Sequence, residues 1–224
     1  MNWLRPVAIV VGIGAAAAVA RQCRKPAGWL GRLTAWGMNR SHAGLTRWAL
    51  GHVPLEASSR VLDVGCGGGQ TIATIAGLAN GARVSGVDYS PASVATARST
   101  NAALIAQGRV DIQQASVSSL PFPTQTFDIV TAIETHYYWP NLERDLGEVW
   151  RVLKPGGRVA IIAESYRNSR RDFLHRPAMT LLLRATYLTL DQHRAALSAA
   201  GFVDIEIHEQ RARGWMAAVG RKPA

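Results

Sequence analysis

Residues 61–69 read VLDVGCGGG. A short apolar run carries one acid, Asp63, and four of the next six residues are glycine. A single tight turn does not need four glycines. Their clustering points to a backbone that must adopt positive φ and admit a ligand at contact distance. The run before them reads as a strand, and the stretch after them, 70–79, reads as a helix. A helix start offers free N–H groups, so a strand–glycine loop–helix unit is a natural cradle for an anionic or polar ligand.

Working outward, strand-like runs stand at 60–64, 82–87, 109–113, 127–133, 158–163, 202–207 and 214–219. Helical stretches fall at 70–79, 91–106, 142–153 and 191–200. Ser90-Pro91 reads as a helix cap followed by proline in the first turn, and Lys154-Pro155-Gly156-Gly157 as a helix stop. Strands separated by helices predict an α/β fold, a mainly parallel seven-stranded sheet with helices on both faces. The short link Glu209–Arg213 predicts that the last two strands form an antiparallel hairpin.

In such sheets, ligands bind at the carboxyl ends of the strands. The second strand ends VSGVDYS, which places Asp88 23 residues after Gly65. A carboxylate there accepts hydrogen bonds from both hydroxyls of a ribose, and Tyr89 can lie against a purine face. The register for NAD fails, because the sixth residue counted from Gly65 is Gln70 rather than glycine. A second fingerprint, Gly12-x-Gly14-x-x-Ala17, is a decoy: the first acid in the whole chain is Glu56, and no second strand follows at the required spacing.

The ordered set VLDVGCGGG, VSGVDYS, SSLPFPTQTFDIVTAI and EVWRVLKPGGRVAII resembles the class I S-adenosylmethionine-dependent methyltransferases of the UbiE/type 11 kind. The resemblance covers about residues 40–220 and implies a Rossmann-like fold with S-adenosyl-L-methionine as cofactor. It implies that Asp63 supports the loop near the methionine amino group and that Gly65 and Gly67 let the cofactor cross the turn. Asp88 would hold the ribose, with Tyr89 beside the adenine. Ser116 stands where many relatives carry an acid, and it would bond the adenine amino group together with the Val117 backbone.

The resemblance also implies that residues after the fourth strand face the methyl group. They read Glu134-Thr135-His136-Tyr137-Tyr138-Trp139-Pro140, where many relatives have a His-His-x-Pro-Asp version. Methyl transfer needs acceptor, methyl and sulfur in line, and a base where the acceptor carries a proton. Glu134, His136 and Tyr138 are the catalytic candidates, His136 foremost as base because its ordinary pKa lies near working pH. Tyr137 and Trp139 read equally as core packing. Glu164, Ser165 and Tyr166 are expected near the same pocket, and His42 is a weaker candidate.

The net charge of +10 is unevenly distributed: +7 over residues 1–60, −2 over 61–166 and +5 over 167–224. No RGG tract, zinc finger or RNP-like aromatic motif accompanies it, so nucleic acid is an unfavoured partner and anionic lipid attracts the same charge. Cys23 and Cys66 are too few and too far apart for a disulfide framework or zinc cluster, which agrees with a reducing compartment. Residues 6–20, PVAIVVGIGAAAAVA, carry no charge, and Arg21, Arg24 and Lys25 follow them. Residues 1–26 are therefore expected to be an apolar membrane-associated segment, with a packing helix and a cleaved signal as alternatives. The methyltransferase domain would occupy 27–224 on the cytoplasmic side.

Ser41 is expected to cap a short amphipathic helix that either packs on the core or roofs a pocket. The long connection 164–190, with five arginines and the run AMTLLL, would cap the acceptor site or meet an anionic surface. The function expected is methyl transfer to a small-molecule acceptor, amphiphilic or membrane-proximal. The alternatives are an RNA methyltransferase, although no Asn/Asp-Pro-Pro-Tyr-like motif follows strand four, and a non-catalytic cofactor-binding protein.

Overall fold

The computed structural model describes residues 43–170, 172–183 and 185–224. The apolar segment 6–20, Cys23, Ser41, His42 and the boundary at residue 26 lie outside them.

Seven strands form one sheet in the order β3-β2-β1-β4-β5-β7-β6. They are β1 (Arg60–Val64), β2 (Arg83–Asp88), β3 (Val110–Gln114), β4 (Phe127–Ile133), β5 (Leu153–Ala163), β6 (Val203–Gln210) and β7 (Trp215–Arg221). The pairs β3/β2, β2/β1, β1/β4 and β4/β5 are parallel, and β7 runs antiparallel to both β5 and β6. The expected mainly parallel sheet with its C-terminal hairpin is therefore present.

Helix α1 (Ala43–Leu50) precedes the sheet, and α2 (Gln70–Leu78) follows β1. After β2 come α3 (Pro91–Thr100) and α4 (Ala102–Ala106); after β4 come a 3₁₀ turn (His136–Tyr138) and α5 (Leu142–Val152). Helix α6 (Asp172–Pro177), a π turn (Ala178–Leu182) and α7 (Leu190–Ala199) lie between β5 and β6.

Alternation along β1 shows how the sheet is covered. Val61 joins a cluster with Leu45, Ile72, Ile75 and Val94 from α1, α2 and α3. Leu62 and Val64 point the other way, into a cluster with Leu146, Val149 and Leu197 from α5 and α7. Burying each such Leu or Ile contributes about 1.5–3 kcal/mol, so two apolar layers hold the sheet rigid between them. Sequence signals set the helix starts. The Ser90 side chain caps α3 with Pro91 in the first turn. Asn141 Oδ1 accepts the Arg144 N–H to start α5, and Asp145 Oδ2 accepts the Asn141 N–H in return.

Two boundaries depart furthest from expectation. The helix predicted over 91–106 is split at Asn101, whose side-chain amide donates to the Gly69 and Ala97 carbonyls, both at 2.9 Å. Strand β5 begins at Leu153 rather than 158: Leu153 pairs with Phe127, and the register then shifts across the Pro155-Gly156-Gly157 turn to resume at Arg158. The turn ends the helix and also lies inside the strand.

Candidate active site

The glycine loop leaves β1 and is stitched to β2. Gly65 and Cys66 N–H groups both donate to the Val87 carbonyl, at 2.8 and 3.0 Å. Gly65, Gly67 and Gly69 all have positive φ, of 72°, 53° and 81°, but for different reasons. A Cβ on Gly65 would meet the Thr135 side chain at 2.0 Å, and one on Gly69 would meet the Ala97 backbone of α3 at 2.9 Å. A Cβ on Gly67 would meet nothing within 4 Å. Gly65 and Gly69 thus make room for protein, and Gly67 opens onto free space.

That space is a cavity of about 400 Å³ at the carboxyl ends of β1, β2 and β4. Asp63, Gly65, Gly67, Asp88 and Tyr89 line it, and so do Ser116 and Val117 shortly after the end of β3. Glu134, Tyr138 and Trp139 line it as well. Ala43 and Thr46 of α1 also line it, so this helix does roof the pocket while Leu45 and Ala49 enter the core. All seven residues expected at the cofactor therefore converge on one cavity.

Asp88 organises the loop. Its Oδ2 accepts the Gly67 N–H at 2.9 Å and its Oδ1 accepts the Ser90 N–H at 2.8 Å. Burial raises its pKa, opposed by those two amide bonds. A carboxylate has about four lone-pair sites, so both oxygens keep capacity for a pair of hydroxyls. Asp63 is more deeply buried, with Oδ1 accepting the Thr131 hydroxyl at 2.7 Å. Desolvation pushes its pKa up to about 7, a hydroxyl bond from Thr131 opposes this, and the charge of Asp88 adds to it. Such a group awaits a cation. The Ser116 hydroxyl oxygen accepts the Ser118 N–H at 3.2 Å, and it retains a lone pair for a ligand donor.

The three catalytic candidates separate. Tyr138 lines the cavity, half-buried. Glu134 lines it too, at the end of β4 in a left-handed conformation with φ 58°. Such strain in a non-glycine residue costs about 1–3 kcal/mol and collects at functional sites. Its Oε1 accepts the Glu164 N–H, tying the ends of β4 and β5 together.

His136 is placed elsewhere. It is fully buried, does not line the cavity, and lies with its Nε2 3.1 Å from Nε2 of His193 on α7. Burial drives its pKa well down, and the neighbouring His193 adds to this. The tautomers follow from the partners. Nδ1 of His193 lies 2.8 Å from the Thr189 carbonyl, which can only accept, so that nitrogen carries the proton. A neutral His193 then offers a lone pair at Nε2, and His136 donates to it. The reason the sequence misleads is local: the 3₁₀ turn sends successive side chains to opposite sides of the wall.

Glu164, Ser165 and Tyr166 do not line this cavity either. The Ser165 carbonyl accepts the Tyr137 hydroxyl at 2.7 Å, and the Ser165 hydroxyl lies 2.7 Å from that of Tyr187. Tyr137 is accordingly core. Trp139 is both core and wall, and its buried indole N–H has no partner among the described residues. Thr135 and Trp139, in the run expected to face the methyl group, do line the cavity, whereas Thr46 carries no sequence signal, since a threonine has no chemical signature until the fold brings it to the wall.

Residues 62–161 match the family model described as "Methyltransferase domain". The chain is 35% identical to 27-O-demethylrifamycin SV methyltransferase of Amycolatopsis mediterranei, over 52% of this chain and 43% of that protein. It is likewise 35% identical to a demethylmenaquinone methyltransferase of Thermus thermophilus, over 52% of this chain and 53% of the relative. The chain thus spans about half the length of these curated relatives. Among solved structures, the complex between the Haloferax volcanii Trm112 methyltransferase activator and the putative methyltransferase aligns with a TM-score of 0.75 at 24% identity. That alignment covers 88% of this chain and 96% of the other, and supports the fold. With a strand order that agrees with these matches, residues 62–161 carry a methyltransferase domain of the type 11 kind.

Proposed function

We propose that the protein transfers the methyl group of S-adenosylmethionine to a small-molecule acceptor of amphiphilic character. The observation that carries this reading is the open face of Gly67, fixed by Asp88 in a cavity that polar and aromatic side chains also line. The residues present fit the cofactor. Asp88 has lone pairs left for the ribose hydroxyls, and Asp63 is a buried acid suited to an ammonium group. The cofactor supplies an electrophilic methyl on a sulfonium centre. The protein's part is to fix the acceptor in line with that methyl, to exclude water and to receive any proton the acceptor loses.

Tyr138 and Glu134 are hydrogen-bonding side chains lining the cavity and suited to orient an acceptor or take its proton. This revises the base assignment from the buried His136 to Glu134, with Tyr138 positioning. The aromatic faces of Tyr138 and Trp139 favour both a sulfonium cation and an apolar acceptor body. The two relatives named above are, by their names, methyltransferases of 27-O-demethylrifamycin SV and of demethylmenaquinone, which agrees with an amphiphilic acceptor.

The test is calorimetry with S-adenosylmethionine and NAD, followed by labelled methyl transfer into fractionated lipids, small metabolites and RNA. Binding of S-adenosylmethionine alone, with label entering a small-molecule fraction, is the expected result. Label confined to RNA would move the acceptor class. Cofactor binding with no transfer to any fraction would point to a non-catalytic binder.

A further inference from the structure

The three most exposed large apolar side chains among the described residues all lie in one short stretch between β5 and β6. Phe173 is 75% exposed, Leu174 61% and Leu181 79%. Soluble proteins scatter single exposed apolar residues, but a contiguous group marks a surface meant to be covered. The inner side of the same stretch is anchored: Asp172 is buried, and Met179, Ala185 and Tyr187 pack into the cluster that holds Tyr137 and Trp139. The outward side chains are therefore held out by a fixed support.

Beside this surface lies a second cleft, of about 490 Å³. Arg167, Arg170 and Arg211 line it, with Tyr166, Glu209 and Asp191. Glu209 is taken up by Arg211 at 3.0 Å and by the Tyr166 hydroxyl. Among the described residues, no hydrogen bond or ion pair engages the side chains of Arg167 and Arg170, which are exposed. The contrast with other basic residues is informative. Arg98, Arg109, Arg151 and Lys222 all donate to backbone carbonyls and act as structural pins. Cleft and apolar stretch are joined directly: the Asn168 N–H donates to Asp172 Oδ2 at 3.0 Å, and Asn168 Oδ1 accepts from Arg176 at 3.1 Å. Over residues 165–190 the sequence holds five arginines against one acid, Asp172.

Exposed aromatic and aliphatic side chains bordered by free arginines are the signature of a surface that lies in the headgroup region of a bilayer. A protein partner with a matching apolar groove would not need the unpaired arginines, whereas a phosphate-rich surface does. We infer that residues 166–183 dock the protein onto an anionic phospholipid bilayer. Phe173, Leu174 and Leu181 enter the acyl boundary, and Arg167 and Arg170 take lipid phosphates at the cleft. Among the described residues no helix is long and apolar enough to cross a membrane, so the contact is interfacial. It is independent of the acceptor's identity and of the N-terminal segment, and it sets the chain on the membrane at the carboxyl edge of the sheet, where the cavity opens.

The experiment uses the full chain, with Cys23→Ser and a polarity-sensitive fluorophore on Thr180→Cys. A control carries the label on Leu78→Cys, because α2 ends at the opposite edge of the sheet. Cys66 is buried and stays unlabelled. On vesicles of anionic phospholipid, the label at 180 is expected to shift to the blue and to be quenched by brominated acyl chains, while the label at 78 is not. Arg167→Ala with Arg170→Ala should lower vesicle affinity roughly 30-fold, since each basic residue at such a surface is worth about a fivefold factor. Phe173→Ser with Leu174→Ser should abolish the spectral shift. Vesicle binding with no response at 180 would overturn the inference in favour of the N-terminal segment alone. An equal response on zwitterionic vesicles would overturn the role of the arginines. A blue-shifted label before lipid is added, or one that shifts with protein concentration, would show that the stretch is covered by this chain or by a second copy.

Discussion

The three positive-φ glycines of the loop show how one residue type serves different ends within five positions. Gly69 lets α2 start against α3, since a Cβ there would press on the Ala97 backbone at 2.9 Å. Gly67 faces only the cavity. Alanine at each position should therefore have separable effects. Gly69→Ala is expected to lower the melting temperature by several degrees, through backbone strain and overpacking worth about 1–3 kcal/mol. Gly67→Ala should cost about 1 kcal/mol of stability from its φ alone, yet weaken S-adenosylmethionine at least tenfold by putting a methyl group where the ligand approaches. Thermal melts and calorimetry on both variants check this; equal affinity losses would remove the distinction. At this scale the sequence was legible where chemistry is carried by residue type, as at Asp63, Gly67 and Asp88. It was silent on Thr135, because what makes Gly65 necessary is a side chain 70 residues away across the β1/β4 seam.

Element boundaries were read well where a cap or a period marked them and poorly where a tertiary bond overrode the local pattern. Ser90-Pro91 and the hairpin link belong to the first kind. The break at Asn101, made by its amide bonding Gly69 across the helix layer, belongs to the second. The 3₁₀ turn after β4 is the most consequential case, since it turned His136 inward to α7 and left Tyr138 on the wall. The buried imidazole pair joining these two elements has a measurable consequence. His193 is held down at about pKa 4 by burial, with the bond to Thr189 opposing. Between the ordinary His value near 6.5 and about 4, the unfolded chain binds a proton that the native one refuses. This contribution therefore destabilises the fold progressively as pH falls through that window and vanishes above it. Asp63 acts with the opposite sign, since its raised pKa makes the native state take up a proton first on acidification. A plain pH–stability curve mixes the two. The difference in unfolding free energy between the parent and His193→Phe isolates the pair: it should narrow in favour of the variant as pH drops from 6.5 towards 4, and stay flat from 7 to 8. A flat difference throughout would mean that the pair is open to water in solution.

For the whole molecule, the sheet is clamped on both faces and at its far edge, where Lys222 donates to the Trp150 and Leu153 carbonyls at 2.9 and 2.7 Å. The carboxyl edge around the cavity carries instead the strained Glu134 and two buried acids, Asp63 and Asp88, whose pKa values are raised by desolvation. Those groups cost stability in the free protein, so the ligand should return it. Asp63, near pKa 7 with an ordinary value of 3.8, loses native stability as pH rises through that interval, because the unfolded chain gives up its proton first. A ligand ammonium beside it favours the carboxylate and expels that proton. Stabilisation by S-adenosylmethionine at a hundred times its dissociation constant is about 2.7 kcal/mol, or roughly 5–10 °C for a chain of this size. At a fixed ligand concentration the rise should be smaller at pH 5.5 than at pH 7.5, because Asp63 must first be deprotonated at the lower pH. Calorimetry in buffers of differing ionisation enthalpy should detect release of a fraction of a proton per site near pH 6.5. In Asp63→Asn, which keeps an oxygen to accept from Thr131, that release should disappear and the pH dependence flatten. Undiminished release in the variant would assign the proton to another group and remove Asp63 from contact with the ligand's cation.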